Sequence, residues 1–361
     1  MSIPFQITAS SHPKPVAERE AILASPGFGQ YFTDHMVAID WDAEKAWHDA
    51  RVEAYGPLSL DPASAVFHYA QEIFEGLKAF RHADGSIWSF RPEANGERFQ
   101  RSARRLALPE LPVDVFVDSI RELVKADAVW TPSGGESSLY LRPFMIANEN
   151  FLGVRAAQKV AYYVIASPAG AYFKGGVKPV AIWLTRDYSR AGHGGTGAAK
   201  CGGNYASSLI AQKEAVANGC SQVLFLDSRE MRYLEELGGM NVFLVKRDGS
   251  VITPELTGSI LEGITRLSVI QLLRDRGITV TEHRIDVQEW IDGVASGDIV
   301  ETFACGTAAS ISPIGALKGK DFSVGDINAP AGELTMSIRK ELTDIQYGRQ
   351  PDRHGWLTRL V

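Results

Sequence analysis

In the first half of the chain, apolar positions recur at two spacings. "HMVAIDWD" (35–42), "SLYLRPFMIA" (138–147) and "KVAYYVIASP" (159–168) read as strands, and "AFRHADGSIWSFRP" (79–92) reads as a hairpin turning on Asp84-Gly85. Between them, "ANGERFQRSARRLAL" (94–108) and "VDVFVDSIRELVKADAVW" (113–130) repeat their apolar residues every three to four positions, the period of a helix lying on a core. The opening thirty residues carry neither period. These elements predict an α+β half ending near residue 170.

The second half starts after "PAGAYFKGGVKP" (168–179), whose Pro, Gly and Lys follow an apolar strand as an interdomain linker would. The pattern divides the chain into an N-terminal α+β domain over 1–170, a linker over 171–182 and a C-terminal domain over 183–361. Within that domain "NYASSLIAQKEAVANG" (204–219) predicts one helix with Asn204 as N-cap and Asn218-Gly219 as its stop. "VLFLD", "RYLEELG" and "NVFLVKRDGSVIT" predict strands, the last a hairpin around Asp248-Gly249. "GITRLSVIQLLRDRG" predicts a helix opening after Gly263, and "DIVETFACGTAASISPIGAL" two strands joined at a tight turn.

Composition narrows the class. A length of 361 residues suits two domains, and 45% hydrophobic with 22% charged residues describes an ordinary globular chain. The net charge of -6 argues against nucleic acid or an anionic membrane as partner and favours a small ligand. Three cysteines, Cys201, Cys220 and Cys305, form no C-x-x-C pair or zinc spacing, so no metal site is expected and a reducing, cytoplasmic setting is. The first residues lack a basic start followed by an apolar core, and no apolar run reaches membrane-spanning length.

Candidate chemistry concentrates in "GHGGTGAAKCGGNYASS" (192–208), where one lysine, Lys200, sits among six glycines. A phosphate-binding P-loop fails, because Ala198 stands where its lysine belongs and Cys201 follows Lys200. A dinucleotide fingerprint over Gly192, Gly194 and Gly197 also fails: "VAIWLT" stops at Thr185, Gly202-Gly203 would break the helix it needs, and Asp227 comes late. A lysine forming a Schiff base beneath a flat cofactor is the third reading. That chemistry needs an acid at a pyridine nitrogen, a donor at a phenolic oxygen, and hydroxyls, backbone N–H groups and an arginine for a phosphate. Glu235 and Glu236 offer the acid, and on a strand at most one of them faces the ring.

The stretch "ELGGMNVF" (236–243), followed by "VIT" and "LEGITR", resembles the E-x-G-x-x-N-x-F…T…L-x-G-I-x-R signature of class IV aminotransferases, and its register selects Glu236. "FHYAQEIFEGLKAF", "SSLYLRPFMIANE", "KCGGNYASSLIAQKEAVANGC" and "LTDIQYG" resemble the branched-chain amino acid aminotransferases, from about Phe32 to the C-terminus. The resemblance implies a two-domain fold-type IV enzyme dependent on pyridoxal 5'-phosphate. A small N-terminal α/β domain would join a larger C-terminal mixed, β-barrel-like domain with helices, in a homodimer with the site between domains. The implied reaction is transamination of leucine, isoleucine and valine with 2-oxoglutarate.

By the same resemblance Lys200 is the Schiff-base lysine, Tyr205 the donor to the phenolic oxygen and Glu236 the partner of the pyridine nitrogen. Arg98, Ile264, Thr265 and Thr307 would hold the phosphate. Backbone N–H groups at Thr307-Ala308, helped by Tyr140, would take the substrate α-carboxylate, and Arg142 the γ-carboxylate of glutamate. Phe74, Tyr69 and Tyr172, with Val154 from the other subunit, would line the side-chain pocket. Two features depart from some mammalian members. Gly239 replaces a threonine, and Ala309-Ser310-Ile311-Ser312 replaces a redox C-x-x-C, so thiol regulation of that type is not expected. The rival readings are a D-amino acid aminotransferase, an aminodeoxychorismate lyase, and a non-catalytic binding protein that kept the fold.

Overall fold

The computed structural model describes residues 3–172 and 176–361. The chain forms two compact units. The first comprises Met1–Tyr172, Ala199–Gly202 and Ile345–Val361; the second comprises Phe173–Ala198 and Gly203–Asp344. Residues 173–175 of the expected linker lie outside the described residues, and its last three positions already belong to the strand Val180–Leu184.

The first unit is built on a nine-stranded sheet. The strands read from sequence appear as His35–Asp42, Ser138–Ala147 and Lys159–Ala169, and Leu77–Arg81 pairs antiparallel with Ile87–Phe90 as the expected hairpin. Ser138–Ala147 is the organising strand. It runs antiparallel to Lys159–Ala169 along its full length and, on its other edge, pairs with both Glu72–Phe74 and Leu77–Arg81. The helices Pro92–Arg105 and Val113–Ala126 bury their apolar stripes in one core, where Phe99 meets Phe116 and Tyr162 at ring-centre distances of 5.5 Å. The opening residues, read as irregular, carry the strand Gln6–Ile7 and the helix Val16–Ala24.

The second unit holds a nine-stranded mixed sheet. Val180–Leu184 is parallel to both of its neighbours, Gln222–Leu226 and Ser310–Lys318, whereas Ile299–Gly306 is antiparallel to Asn241–Lys246 and Ser310–Lys318. The hairpin at Asp248-Gly249 forms, with Gly249 at φ +84°. One expectation needs correction. The stretch 204–219 makes two helices, Gly202–Ala206 and Leu209–Ala217, interrupted at Ser207-Ser208. Asn204 lies inside the first and not at its N-terminus: its side chain bonds Thr196 through Oγ1 at 2.7 Å and the carbonyl at 2.8 Å. Gly202 and Gly203 open that helix instead of breaking it, since the initiating residues of a helix need no preceding turn.

Among the described residues, no helix is long and apolar enough to cross a membrane, and no His, Cys, Asp and Glu group could hold a metal ion.

Candidate active site

Lys200 is positioned through its main chain. Its N–H donates to Ser102 Oγ at 2.9 Å, and its carbonyl accepts the Phe74 N–H at 2.9 Å, so the backbone is tied both to the helix Pro92–Arg105 and to the strand Glu72–Phe74. The Nζ lies 4.8 Å from the centre of the Phe74 ring. Two residues later the Gly202 N–H donates to Glu72, whose carboxyl is raised by burial against the pull of that N–H and of Arg142.

Beside the lysine sits an ion pair that sequence reasoning missed. Glu75 is fully buried and receives Arg98 Nε at 2.7 Å, Arg98 Nη2 at 2.8 Å and the Asn95 amide at 2.7 Å. Burial alone would raise the Glu75 carboxyl, but Arg98 first, and then Lys200, outweigh it and hold the group below its ordinary range. Arg98, expected to bind a phosphate, is therefore a buried guanidinium oriented by a two-point grip. The only hint in the sequence was that Glu75 falls within "FEGLKAF".

Phe74, Tyr140 and Arg142 gather on the same part of the first unit. Arg142 Nη2 donates to the Tyr140 hydroxyl at 3.0 Å, and its guanidinium carbon lies 4.8 Å over Phe74 and 5.3 Å over Tyr140. The result is a surface with an aromatic floor and a cationic edge. Gly76 makes it possible, because a Cβ there would stand 2.1 Å from the Tyr140 hydroxyl oxygen. Tyr69 is elsewhere: its hydroxyl donates to the Leu152 carbonyl, next to Val154, which is 86% exposed. Tyr172 is also exposed.

In the second unit, the strand Leu234–Leu237 sends its two acids to different partners, as alternation requires. Glu236 Oε1 accepts the Leu261 N–H at 2.7 Å and stands 2.6 Å from Arg190 Nη2. Glu235 Oε1 accepts the Ser259 hydroxyl. Arg190 also escaped the sequence reading, since nothing in its spacing ties it to Glu236. Its Nη2 donates to the carbonyls of Gly197 at 2.8 Å and Ser259 at 2.9 Å, which binds the glycine-rich stretch to the segment before Leu261. A Cβ on Gly197 would fall 2.2 Å from the Ser259 carbonyl oxygen, so a glycine is required where these backbones cross.

Tyr205 lies in the helix Gly202–Ala206, and its ring passes 3.9 Å from where a Cβ on Gly239 would stand. Ile264 and Thr265 form the first turn of the helix Ile264–Asp275, which follows Gly263 and has no side-chain cap. Such a first turn presents free N–H groups and the positive end of the helix dipole, and Thr265 adds a hydroxyl. Thr307 and Ala308 make the turn between Ile299–Gly306 and Ser310–Lys318. This donor set suits a phosphorylated pyridine: uncapped N–H groups and hydroxyls for the dianion, a buried carboxylate for the ring nitrogen, and a phenol.

Residues 72–317 match the amino-transferase class IV family. The chain is a class IV aminotransferase. It is 56% identical over 360 residues to a branched-chain-amino-acid aminotransferase of Mycolicibacterium smegmatis, an alignment covering 99% of this chain and 98% of that one. Among solved structures it is similar to the T.th. branched-chain amino acid aminotransferase with pyridoxamine 5'-phosphate, at TM-score 0.74 and 28% identity over 90% of this chain and 99% of that one. It is likewise similar to the branched-chain aminotransferase of Thermoproteus uzoniensis with norvaline, at TM-score 0.75 and 27% identity over 91% of this chain and 100% of that one. This class IV aminotransferase thus has the two-domain α+β fold of type IV that its motifs implied.

Proposed function

We propose that this aminotransferase exchanges the amino group between leucine, isoleucine or valine and 2-oxoglutarate, with pyridoxal 5'-phosphate as cofactor, as a cytoplasmic homodimer. The observation that carries the reading is the Lys200 amine lying on the Phe74 ring, beside the Arg142 edge, in a chain 56% identical over nearly its whole length to a branched-chain enzyme. That identity disfavours a D-amino acid aminotransferase, an aminodeoxychorismate lyase or a non-catalytic binder.

Bound pyridoxal phosphate supplies a carbonyl that captures the amino group and a ring that takes up electrons as Cα loses its proton. The protein's residues do the rest. The Lys200 amine removes the Cα proton and returns it on the other side of the exchange. Glu236, its negative charge compensated by Arg190 and the Leu261 N–H, accepts the ring N–H, and Tyr205 donates to the phenolic oxygen. Arg98, the N–H groups of Ile264 and Thr265, and the Thr307 hydroxyl take the phosphate. The Thr307-Ala308 turn and Tyr140 take the α-carboxylate, and Arg142 the γ-carboxylate of glutamate. Phe74, Tyr172, Tyr69 and Val154 serve the aliphatic side chain. Because Tyr69 is hydrogen-bonded to Leu152 of its own chain, it travels with Val154, so a dimer that lends Val154 to its partner lends Tyr69 too.

The test is kcat/KM for leucine, isoleucine, valine, glutamate, aspartate and D-alanine with matched oxo acids. An apolar wall separates substrates by only about 1–3 kcal/mol per methylene, so the three branched substrates are expected within about two orders of magnitude of each other. Aspartate, too short to carry its charge to Arg142, is expected far below them. D-alanine or aspartate outrunning leucine would refute the substrate assignment.

A further inference from the structure

Glu72 and Phe74 point to one face of the first unit's sheet, and Ile73 between them is buried in the core on the other. The antiparallel register sets Glu72 opposite Ile146 and Phe74 opposite Phe144. Arg142, two residues before Phe144 on that strand, shares the face and brings its guanidinium carbon to 4.8 Å from the Phe74 ring centre. The half-buried Glu72 carboxylate therefore lies beside the surface made by Phe74, Tyr140 and Arg142, held there by the Gly202 N–H.

Burial raises the Glu72 carboxyl above its ordinary value, against the Gly202 N–H and the charge of Arg142. The hydrogen bond that Arg142 gives on this surface goes to a neutral group, the Tyr140 hydroxyl at 3.0 Å. The other charges on the packed elements are placed differently: Lys200, on the segment alongside, has its amine at the Phe74 ring, and Glu75 and Arg98 hold each other in the core. The proposed reaction brings two unlike side chains to this surface in turn, one aliphatic and one ending in a carboxylate. A bare guanidinium would be costly against the first, and a fully compensated one would attract the second poorly.

We propose that Glu72 is the residue that lets this one surface serve both substrates, an inference that rests on the assignment of Arg142 to the γ-carboxylate of glutamate. As a carboxylate, Glu72 balances Arg142 while an aliphatic side chain lies on Phe74. When the γ-carboxylate reaches Arg142, Glu72 takes up a proton and the repulsion between the two carboxylates is relieved. Binding of glutamate is thus linked to proton uptake and weakens as pH rises, while binding of leucine lacks this link.

Glutarate and 4-methylvalerate are the probes, because they are glutamate and leucine without the amino group and bind the holoenzyme without reacting. Titration calorimetry in buffers of different ionisation enthalpy is expected to show more proton uptake with glutarate than with 4-methylvalerate. From pH 8 to pH 6, glutarate should gain about threefold or more in affinity relative to 4-methylvalerate. Glu72→Gln removes the charge but keeps an acceptor for the Gly202 N–H. It should abolish both differences and raise the ratio of glutarate to 4-methylvalerate affinity at pH 8 by about fivefold or more. If that variant does not fold, the wild type decides alone: equal proton uptake with the two probes overturns the proposal. Arg142→Met separates the two levels. Unchanged glutarate binding there refutes the assignment of Arg142 and this proposal with it, whereas weakened glutarate binding there, with an unchanged ratio in Glu72→Gln, refutes the role of Glu72 alone.

Discussion

Arg190 Nη2 stands 2.6 Å from Glu236 Oε1 with both side chains buried, and it also donates to the carbonyls of Gly197 and Ser259. One guanidinium therefore compensates the Glu236 carboxylate and ties down the backbone at Gly197 and Ser259. Removing one member of a buried pair leaves an uncompensated charge, which costs about 3–5 kcal/mol. Arg190→Met is expected to lower the urea midpoint accordingly and to weaken cofactor retention on dialysis. A midpoint within error of the wild type would mean the pair is not maintained in solution.

Glu236→Gln tests the acid itself. An amide keeps the size and can still meet the Leu261 N–H, but it cannot hold the pyridinium proton. The cofactor should remain bound while kcat falls about a hundredfold, an electrostatic loss of roughly 3 kcal/mol. Near-normal kcat would move the role to Glu235 or to neither.

Lys200→Ala should abolish the visible absorbance of the bound cofactor and nearly all turnover, because the variant has no amine on the Phe74 ring to move the proton. Borohydride labelling followed by peptide mapping checks the same point in the wild type. A label on Lys213 instead of Lys200 would reassign the nucleophile.

Gly76→Ala places a Cβ 2.1 Å from the Tyr140 hydroxyl oxygen. Tyr140 must shift, and its contact with Arg142 goes with it. Overpacking of this kind costs about 1–3 kcal/mol in stability. Because Tyr140 is assigned to the α-carboxylate of every substrate and Arg142 to the γ-carboxylate, KM should rise for both leucine and glutamate, and at least tenfold more for glutamate. Equal effects on both would detach Arg142 from that role.

A pH dependence follows from Glu235. Burial raises its carboxyl from 4.5 to about 7, with Ser259 and Arg190 opposing the rise and Glu236 adding to it. Between those two values the folded chain keeps a proton that the unfolded chain has lost, so this group's contribution to stability is full below about pH 4.5 and fades as pH rises to about 7. The loss is on the order of 3 kcal/mol. Urea midpoints of the wild type and Glu235→Gln should differ little at pH 5 and diverge by pH 8, with the glutamine variant the more stable. A difference independent of pH would contradict the assignment.

What the sequence determined by itself is the local and the motif-borne part. Alternation placed His35–Asp42, short apolar runs placed Ser138–Ala147 and Lys159–Ala169, and helical periodicity placed Pro92–Arg105 and Ile264–Asp275, because a pattern of burial is written within a few residues of chain. The class IV family was legible from the spacing after Glu236, and the register of that signature separated Glu236 from Glu235. Tertiary structure decided the rest. That Arg190 meets Glu236, that Glu75 grips Arg98, that Tyr69 bonds Leu152 and that Glu235 keeps an oxygen without a donor all depend on strand registers and loop crossings that bring distant residues together. At the break, Ser207-Ser208, local and tertiary contacts meet: the two hydroxyls donate to the Asn204 and Tyr205 carbonyls three residues back, and that of Ser207 also lies 2.7 Å from the Arg190 carbonyl, which helical periodicity does not foretell.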